Sequence, residues 1–474
     1  MNINLLTKSV VRIVADNIVI NWIMPYQVAG SGLGSGTGFF IDNKGHILTC
    51  AHVISNAHNV LIEIPEHGLK KFECDVLGIC PDIDLALLKI KNYKNKHHLK
   101  CASLKDVKLG DSVIALGFPM NYNNHKYVKS NNIKITKGII SGQQFGIYQT
   151  DSPINPGNSG GPLIKNNKVI GINSAIIVQA QNIGYSIPVD YFIDKINEFK
   201  RGKRHLFHLP QRCFNFNQSN EALLKIKDSK CKSGIYISDV YEKSNMKKCG
   251  LKKEMILCKI DKYNIDNDGL VNSYWFDEKI DINTLILRLK INQKIKLEYF
   301  DGKKIITKYT INSPYKFIIR DKFPQYENID FQIFAGCVFM ELTINHLLAD
   351  EQFEKYNQFI SLNKNRTKDT LIVSHIYPNS SISKLNSIKQ TDHIIKINNK
   401  KVDNVNSIRK ALMKPLSKHG DKYVKIENSE GKVAFLNMKN IIQEDLQFSQ
   451  VYHFPLSEIH LKFMKEFGII PNKI

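Results

Sequence analysis

The chain has 474 residues and a mass of 54.3 kDa, too long for a single hydrophobic core, so about two to four domains are expected. Hydrophobic residues at 43% and charged residues at 23% exclude a disordered or collagen-like chain, and no uncharged apolar run reaches the roughly 18 residues of a membrane-spanning helix. Lys and Arg outnumber Asp and Glu by 66 to 44, a net charge of +22; no aromatic RNA-binding signature accompanies that excess, so it names neither nucleic acid nor membrane as a partner.

The stretch Met1–Val14 has too short an apolar run, and no small-residue cleavage site, for a signal peptide. An intracellular, soluble protein is expected. Trp22 and Tyr26 follow, two aromatic residues that suit either subunit contacts or packing against their own barrel. Short strands come next: Gly38–Ile41, His46–Thr49, Asn59–Ile64, Leu85–Leu88, Val113–Leu116 and Val169–Ile172. They are mostly rich in β-branched or aromatic residues and flanked by Gly, Asn, Asp or Pro. No helical pattern alternates with them, which favours a barrel or sandwich over a parallel sheet. The first amphipathic helix is predicted over Val189–Lys200, with Tyr191, Phe192, Ile196 and Phe199 on one face. The basic run 201–205 behind it reads as a linker.

Beyond that run the sequence repeats weakly. Gly234-Ile235-Tyr236-Ile237-Ser238 resembles Thr370-Leu371-Ile372-Val373-Ser374, and Leu257–Ile260 is echoed by Ile394–Ile397. Each copy then offers a helix, Asn283–Leu289 or Val405–Met413, and closes on strands near Ile295–Phe300 or Tyr423–Glu427. A pair of related units is too few for a solenoid. Nine cysteines, at 50, 74, 80, 101, 213, 231, 249, 258 and 337, contain no CxxC. A chain of this size needs no disulfide staples, so they are expected as free, mostly buried apolar side chains.

The sharpest chemical signal is Gly157-Asn158-Ser159-Gly160-Gly161-Pro162. A serine hydroxyl is a weak nucleophile at neutral pH and needs a base within hydrogen-bond reach and donors for the oxyanion it creates. Flanking glycines permit a tight loop whose N–H groups converge on that oxygen, with Gly157 and Ser159 as the natural donors. The segment also satisfies G-x-S-x-G, the nucleophile elbow of α/β-hydrolases, but two prolines interrupt the residues before the serine and Pro162 follows it, so the strand–turn–helix context is missing. Thr49-Cys50-Ala51-His52-Val53 supplies a base at a strand end, and Asp82-Ile83-Asp84-Leu85-Ala86-Leu87 a carboxylate at the mouth of a buried strand. An aspartate there would hold the imidazole in the tautomer whose other nitrogen accepts the serine proton. The order His, Asp, Ser is that of chymotrypsin-type double barrels.

These segments, together with Gly36-Thr37-Gly38-Phe39-Phe40-Ile41, Thr136-Lys137-Gly138-Ile139-Ile140-Ser141-Gly142 and Ile183-Gly184-Tyr185-Ser186-Ile187-Pro188, resemble the HtrA/Deg serine proteases. Ile265-Asp266-Asn267-Asp268-Gly269 and Phe334-Ala335-Gly336-Cys337 extend the resemblance to the two-PDZ Deg proteases of plants and fungi. The resemblance implies a mainly β chain: a chymotrypsin-like double β-barrel protease domain over 1–200, the linker 201–205, and PDZ-like α+β domains over 206–315 and 316–474, the last with a C-terminal extension. It implies ATP-independent endopeptidase activity on unfolded or misfolded protein, without metal or organic cofactor, and a homo-oligomer built from trimers. Carried onto this chain, His52 is the base, Ser159 the nucleophile, and Asp84, directly before Leu-Ala-Leu, the acid in preference to Asp82. The substrate pocket falls to Pro153, Asn158, Ser174, Ala175, Gly184 and Tyr185. Pro153 stands where trypsin-like enzymes carry a carboxylate for Lys or Arg, so cleavage after small or medium apolar residues is expected. Cys50 stands where the family has alanine, and a buried inert thiol is favoured over a redox-sensitive one. In the first PDZ-like unit Asn215 replaces the glycine that would let N–H groups receive a peptide carboxylate. A proteolytically inactive scaffold or chaperone of the same fold is the alternative.

Overall fold

The computed structural model describes residues 3–102, 107–119, 132–143, 146–174 and 183–470, and the backbone of 121–123, 126–128 and 144. The chain separates into two compact units, one of Met1–Ile18 with Ser31–Tyr315, the other of Val19–Gly30 with Lys316–Ile474.

In the first unit, β1 (Val10–Ile20), β2 (Val28–Phe40), β3 (His46–Cys50), β4 (Ala57–Glu63), β5 (Lys71–Cys80) and β6 (Leu85–Ile90) pair in the order β5-β4-β1-β2-β3-β6, and β5 closes onto β6. A second barrel is built from β7 (Ser112–Gly117), β8 (Lys134–Gln144), β9 (Ile147–Thr150), β10 (Pro162–Lys165), β11 (Lys168–Ser174) and β12 (Gly184–Pro188), in the order β10-β7-β8-β9-β12-β11 with β10 closing onto β11. Closure removes the edges that would otherwise template aggregation. Both barrels fill with the apolar residues that marked the strands: Ile13, Phe39, Leu48, Leu85 and Leu87 in the first, Val113, Leu163, Ile170 and Ile172 in the second, all buried. The predicted strands all form. The helix predicted over 189–200 forms as two turns, Asp190–Ile193 and Ile196–Phe199, because Lys195 leaves helical geometry between them at φ −121°, ψ 12°.

The basic run behind it is only partly a linker. Residues 201–203 are exposed, but Arg204 donates from its backbone N–H to the Val76 carbonyl at 2.8 Å and from its guanidinium to the carbonyls of Ala57 and His58. His205–Leu206 then extends the first barrel as a parallel strand along β5. The sheet that follows runs Phe214–Asn217, Ile235–Val240, Ile256–Ile260, Gln293–Phe300, Ile305–Asn312, with the helix Ile282–Arg288 where the repeat placed one. One apolar cluster runs from Val113, Tyr148 and Leu163 of the second barrel into Phe214, Leu257, Phe276 and Leu285, and the buried Arg288 on that helix pairs with Asp190 while lying over the Tyr191 and Phe276 rings. The expectation that the cysteines are free needs correcting at one place: Cys231 and Cys258 form a disulfide, their Cα atoms 6.1 Å apart. Antiparallel pairing of Ile235–Val240 with Ile256–Ile260 brings the two positions together. The other seven are free.

The second unit contains the strands Phe331–Phe334, Cys337–Glu341 and Leu371–Ile376 in one sheet and Ile394–Ile397, Asp421–Asn428 and their neighbours in another. The helix Val405–Leu412 carries an Asn404–Ser407 capping box. The C-terminal extension supplies the helices Met438–Tyr452 and Glu458–Phe467. Trp22 and Tyr26, expected at subunit contacts or against their own barrel, instead join with Met24 an apolar cluster containing Tyr377, Phe353 and Phe454, and the Tyr26 and Tyr377 hydroxyls are 2.7 Å apart. Among the described residues no helix is long and apolar enough to cross a membrane.

Candidate active site

His52 lies in the short helix Ala51–Ile54 that follows β3. The β3–β6 register pairs Cys50 with Leu85, which brings the residue before Leu85 alongside the residue after Cys50. Ala51 N–H accordingly donates to the Asp84 carbonyl at 3.0 Å. Asp84 ends the turn Pro81–Ile83 in the left-handed region at φ 51°, ψ 42°, a conformation Asp adopts more readily than most residues. From there its Oδ1 accepts from the His52 backbone N–H at 2.8 Å, and its Oδ2 lies 2.8 Å from His52 Nδ1. Ser174 Oγ donates to the same Oδ2 at 3.0 Å. Asp82 faces elsewhere, toward His208 Nδ1 at 3.1 Å and the Leu209 N–H at 2.6 Å. Of the two carboxylates, the one hydrogen-bonded to His52 is that of Asp84.

Ser159 sits in a loop whose shape depends on two glycines at positive φ, Gly157 at 98° and Gly160 at 86°. A Cβ on Gly160 would lie 2.1 Å from the Thr37 carbonyl and 2.2 Å from Thr49 Oγ1, so no side chain fits there. The backbone is tied on both sides: Thr37 N–H donates to the Ser159 carbonyl at 2.9 Å, and Gly160 N–H to the Asn173 carbonyl at 2.8 Å. Thr37 belongs to β2 and Asn173 to β11, so the serine loop is tied by hydrogen bonds to one strand of each barrel, the second being the strand that supplies Ser174.

The remaining predicted residues are spread over several roles. Asn158 is 5% exposed; its Oδ1 has no hydrogen-bond partner and lies 2.5 Å from where a Cβ on Gly117 would be, which is why that position is glycine. Ser174 pairs with Tyr185 and Asn173 with Ser186 across β11–β12, while the Ser174 hydroxyl serves Asp84. Pro153 is exposed, and its carbonyl accepts from Thr136 Oγ1 at 3.1 Å. Gly184 is buried, and the Ile154 side chain occupies the space its Cβ would need, at 2.7 Å. Ala175 lies outside the described residues. Asp151, the nearest carboxylate in sequence, binds the Ile139 N–H at 2.7 Å. Cys50 is fully buried, its Sγ 3.3 Å from the Asn173 carbonyl. Burial first, and then the Asp84 charge, push its thiol well above the ordinary cysteine range, so it stays protonated. Sequence reasoning missed the hydroxyls of Ser174 and Thr37. Thr37 stands in Gly36-Thr37-Gly38, but nothing in that tripeptide says which backbone groups its side chain will reach.

A description of the trypsin-like peptidase domain matches residues 36–172, the stretch containing His52, Asp84 and Ser159. The chain is 27% identical over 456 residues to the putative mitochondrial protease Do-like 3 of Arabidopsis thaliana, covering 92% of this chain and 77% of that one. It is 33% identical over 178 residues to a probable periplasmic serine endoprotease DegP-like of Pseudomonas putida (strain W619), covering 35% of each. Among solved structures, the HtrA-type protease AlgW with tripeptide is similar in fold, with a TM-score of 0.50 at 22% identity, covering 65% of this chain and 94% of that one. Two closed six-stranded barrels with this sequence pattern define a serine protease of the trypsin-like class. Within that class, the chain belongs to the HtrA/Deg family, being 30% identical over 291 residues to the serine protease Do-like HtrA of Lactobacillus helveticus and covering 68% of that chain.

Proposed function

We propose that this chain is an ATP-independent endopeptidase that cuts unfolded or exposed protein segments through Ser159, His52 and Asp84. The observation that carries the reading is the double hold of Asp84 on His52, through the backbone N–H and Nδ1, both at 2.8 Å. Held this way, the ring keeps its proton on Nδ1 and offers Nε2 as the base for the Ser159 hydroxyl; the imidazolium formed is stabilised by the carboxylate, and its proton then passes to the leaving amine. Gly157 and Ser159 N–H groups receive the oxyanion of the tetrahedral intermediate. Among the described residues Pro153, Gly184 and the Ile154 side chain offer apolar surface, which suits a small or medium apolar residue before the scissile bond. The chemistry calls on no metal or organic cofactor, and no nucleic acid is expected as partner.

The PDZ-like domains fit assembly, or the binding of internal segments by strand addition, better than capture of a peptide C-terminus. In the first, the Asn215 side chain accepts from Tyr241 Oη at 3.1 Å. In the second, the N–H groups of Ala335 and Gly336 donate to the Asp445 carboxylate at 2.7 and 2.8 Å, so an internal carboxylate already stands where a terminal one would bind. Assembly as a trimer, or a multiple of trimers, is part of the proposal.

Labelling with a fluorophosphonate, which reacts with an activated serine, tests the mechanism. Wild-type protein should label and digest casein, while Ser159→Ala and His52→Ala should do neither. An unlabelled, inactive wild type would instead favour a scaffold or chaperone of the same fold.

A further inference from the structure

Thr37 is 0% exposed, and every polar atom it carries is committed around the serine loop. Its Oγ1 donates to the Gly157 carbonyl at 2.7 Å and accepts from the Phe118 N–H at 3.0 Å. Its own N–H donates to the Ser159 carbonyl at 2.9 Å, and its carbonyl accepts from Thr49 Oγ1 at 2.7 Å. One residue of the first barrel thus grips the carbonyls of both Gly157 and Ser159, the two residues whose N–H groups would receive the oxyanion.

The geometry matters because Gly157, at φ 98°, has the freedom that lets a glycine N–H turn away from a substrate. Anchoring its carbonyl fixes the peptide plane that follows it, and only the two torsions of Gly157 itself then separate an anchored group from the donor. A hydroxyl that both donates and accepts fixes its own rotamer, and a β-branched side chain is stiff about χ1. The Thr37 methyl also lies 3.1 Å from where a Cβ on Gly161 would be, so the side chain is held by packing as well as by hydrogen bonds.

We propose that Thr37 is a positioning residue for peptide hydrolysis, its buried hydroxyl holding the 157–159 loop in the arrangement that receives the developing oxyanion. The inference rests on the protease reading above and adds a residue to it. Such a clamp acts on the transition state more than on bound substrate, since the oxygen acquires its charge only as the tetrahedral intermediate forms.

The test compares Thr37→Val, which keeps the shape and removes the hydroxyl, with Thr37→Ser, which keeps the hydroxyl. On a peptide anilide with an apolar residue before the scissile bond, Thr37→Val should lower kcat about 10- to 100-fold while KM stays within about twofold. A peptidyl boronic acid, whose tetrahedral adduct uses the same donors, should bind more weakly by the same factor. In a Ser159→Ala background, Thr37→Val should leave affinity for the intact peptide unchanged. Thr37→Ser should recover most of the rate. Equal kcat per active site in Thr37→Val, counted by burst titration, overturns the proposal, as does a serine variant as slow as the valine one. A wild type that neither cleaves nor labels removes the protease reading, and amide exchange then decides the clamp: faster exchange across 155–161 in Thr37→Val but not in Thr37→Ser upholds it, and equal exchange overturns it.

Discussion

Among the described residues, two aspartate–histidine pairs each have a serine hydroxyl hydrogen-bonded to one member, Ser174 at Asp84–His52 and Ser457 at Asp445–His460, and the two are built differently. At Asp84–His52 the histidine side chain is 46% exposed and the carboxylate 16%; at Asp445–His460 the figures are 0% for the carboxylate and 1% for the histidine. In the first, the carboxylate takes Nδ1 and leaves Nε2 for chemistry, while Ser174 Oγ braces the carboxylate from behind. In the second, both ring nitrogens are engaged, Nε2 with Asp445 at 3.1 Å and Nδ1 with Ser457 Oγ at 2.9 Å, and the carboxylate also saturates the Ala335 and Gly336 N–H groups. The same three residue types give a half-exposed histidine held at one ring nitrogen in one setting and a buried histidine held at both in the other. What separates them is exposure and the number of ring nitrogens held, not the identity of the side chains.

The largest effect should come from the first pair. Asp84→Asn keeps the shape but presents an amide to Nδ1, favouring the tautomer that leaves Nε2 protonated, and kcat should fall about 10⁴-fold with little change in KM. Steady-state hydrolysis of the apolar peptide anilide measures this; a loss of less than about tenfold would mean that His52 does not depend on Asp84 for its tautomer. The second pair should respond in stability instead. Asp445→Asn sets an amide donor against backbone donors in a fully buried site, at a cost of about 3–5 kcal/mol to the second unit. With two tryptophans in the chain, a Trp275→Phe background leaves Trp22, which packs on His346 with ring centroids 5.7 Å apart, as the fluorescent reporter of that unit's unfolding. An unchanged denaturation midpoint would show that the Asp445 network is not a brace.

Much of the first region was legible in the amino-acid sequence because its signals are local. Val113–Leu116 and Val169–Ile172 announce strands by composition, and His52, Asp84 and Ser159 each sit in a short motif whose order implies a double barrel. Its place directly before Leu-Ala-Leu selects Asp84 over Asp82, and the β3–β6 register accounts for it physically, setting Asp84 beside Ala51, next to His52. The second region was hidden because its contacts join residues far apart in sequence. Tyr26 meets Tyr377, and Ser374 Oγ donates to the Ile23 carbonyl at 2.8 Å, yet no periodicity around Tyr26 marks such a partner. Asp445 looks like one more polar residue on the helix Met438–Tyr452 until the Phe334–Cys337 turn is placed against it. The Cys231–Cys258 disulfide was hidden for the same reason, since pairing of two strands decides which thiols meet.

The smallest effect separates the histidines of the two regions by pH. His346 is 0% exposed, packed between the rings of Trp22 and Phe353, with Nδ1 accepting from the Thr343 N–H at 3.1 Å and Nε2 buried without a hydrogen-bond partner. Burial pushes its pKa down to about 3, partly offset by the Thr343 hydrogen bond, with the Lys322 charge adding slightly to the depression. An unfolded histidine titrates near 6.5, so between about pH 6.5 and pH 3 the unfolded chain binds a proton that the folded unit refuses. Stability from this residue is therefore complete above about pH 6.5 and drains away as the pH falls through that window, by about 2 kcal/mol at pH 5. Asparagine at the same position keeps an acceptor for Thr343 and carries no titrating group, so His346→Asn should flatten the difference between Trp22 denaturation midpoints at pH 7 and pH 5. Equal pH dependence in the two proteins would place the acid sensitivity on other groups. Hydrolysis per active site should not distinguish them, because His346, unlike His52, has no nitrogen within reach of a substrate.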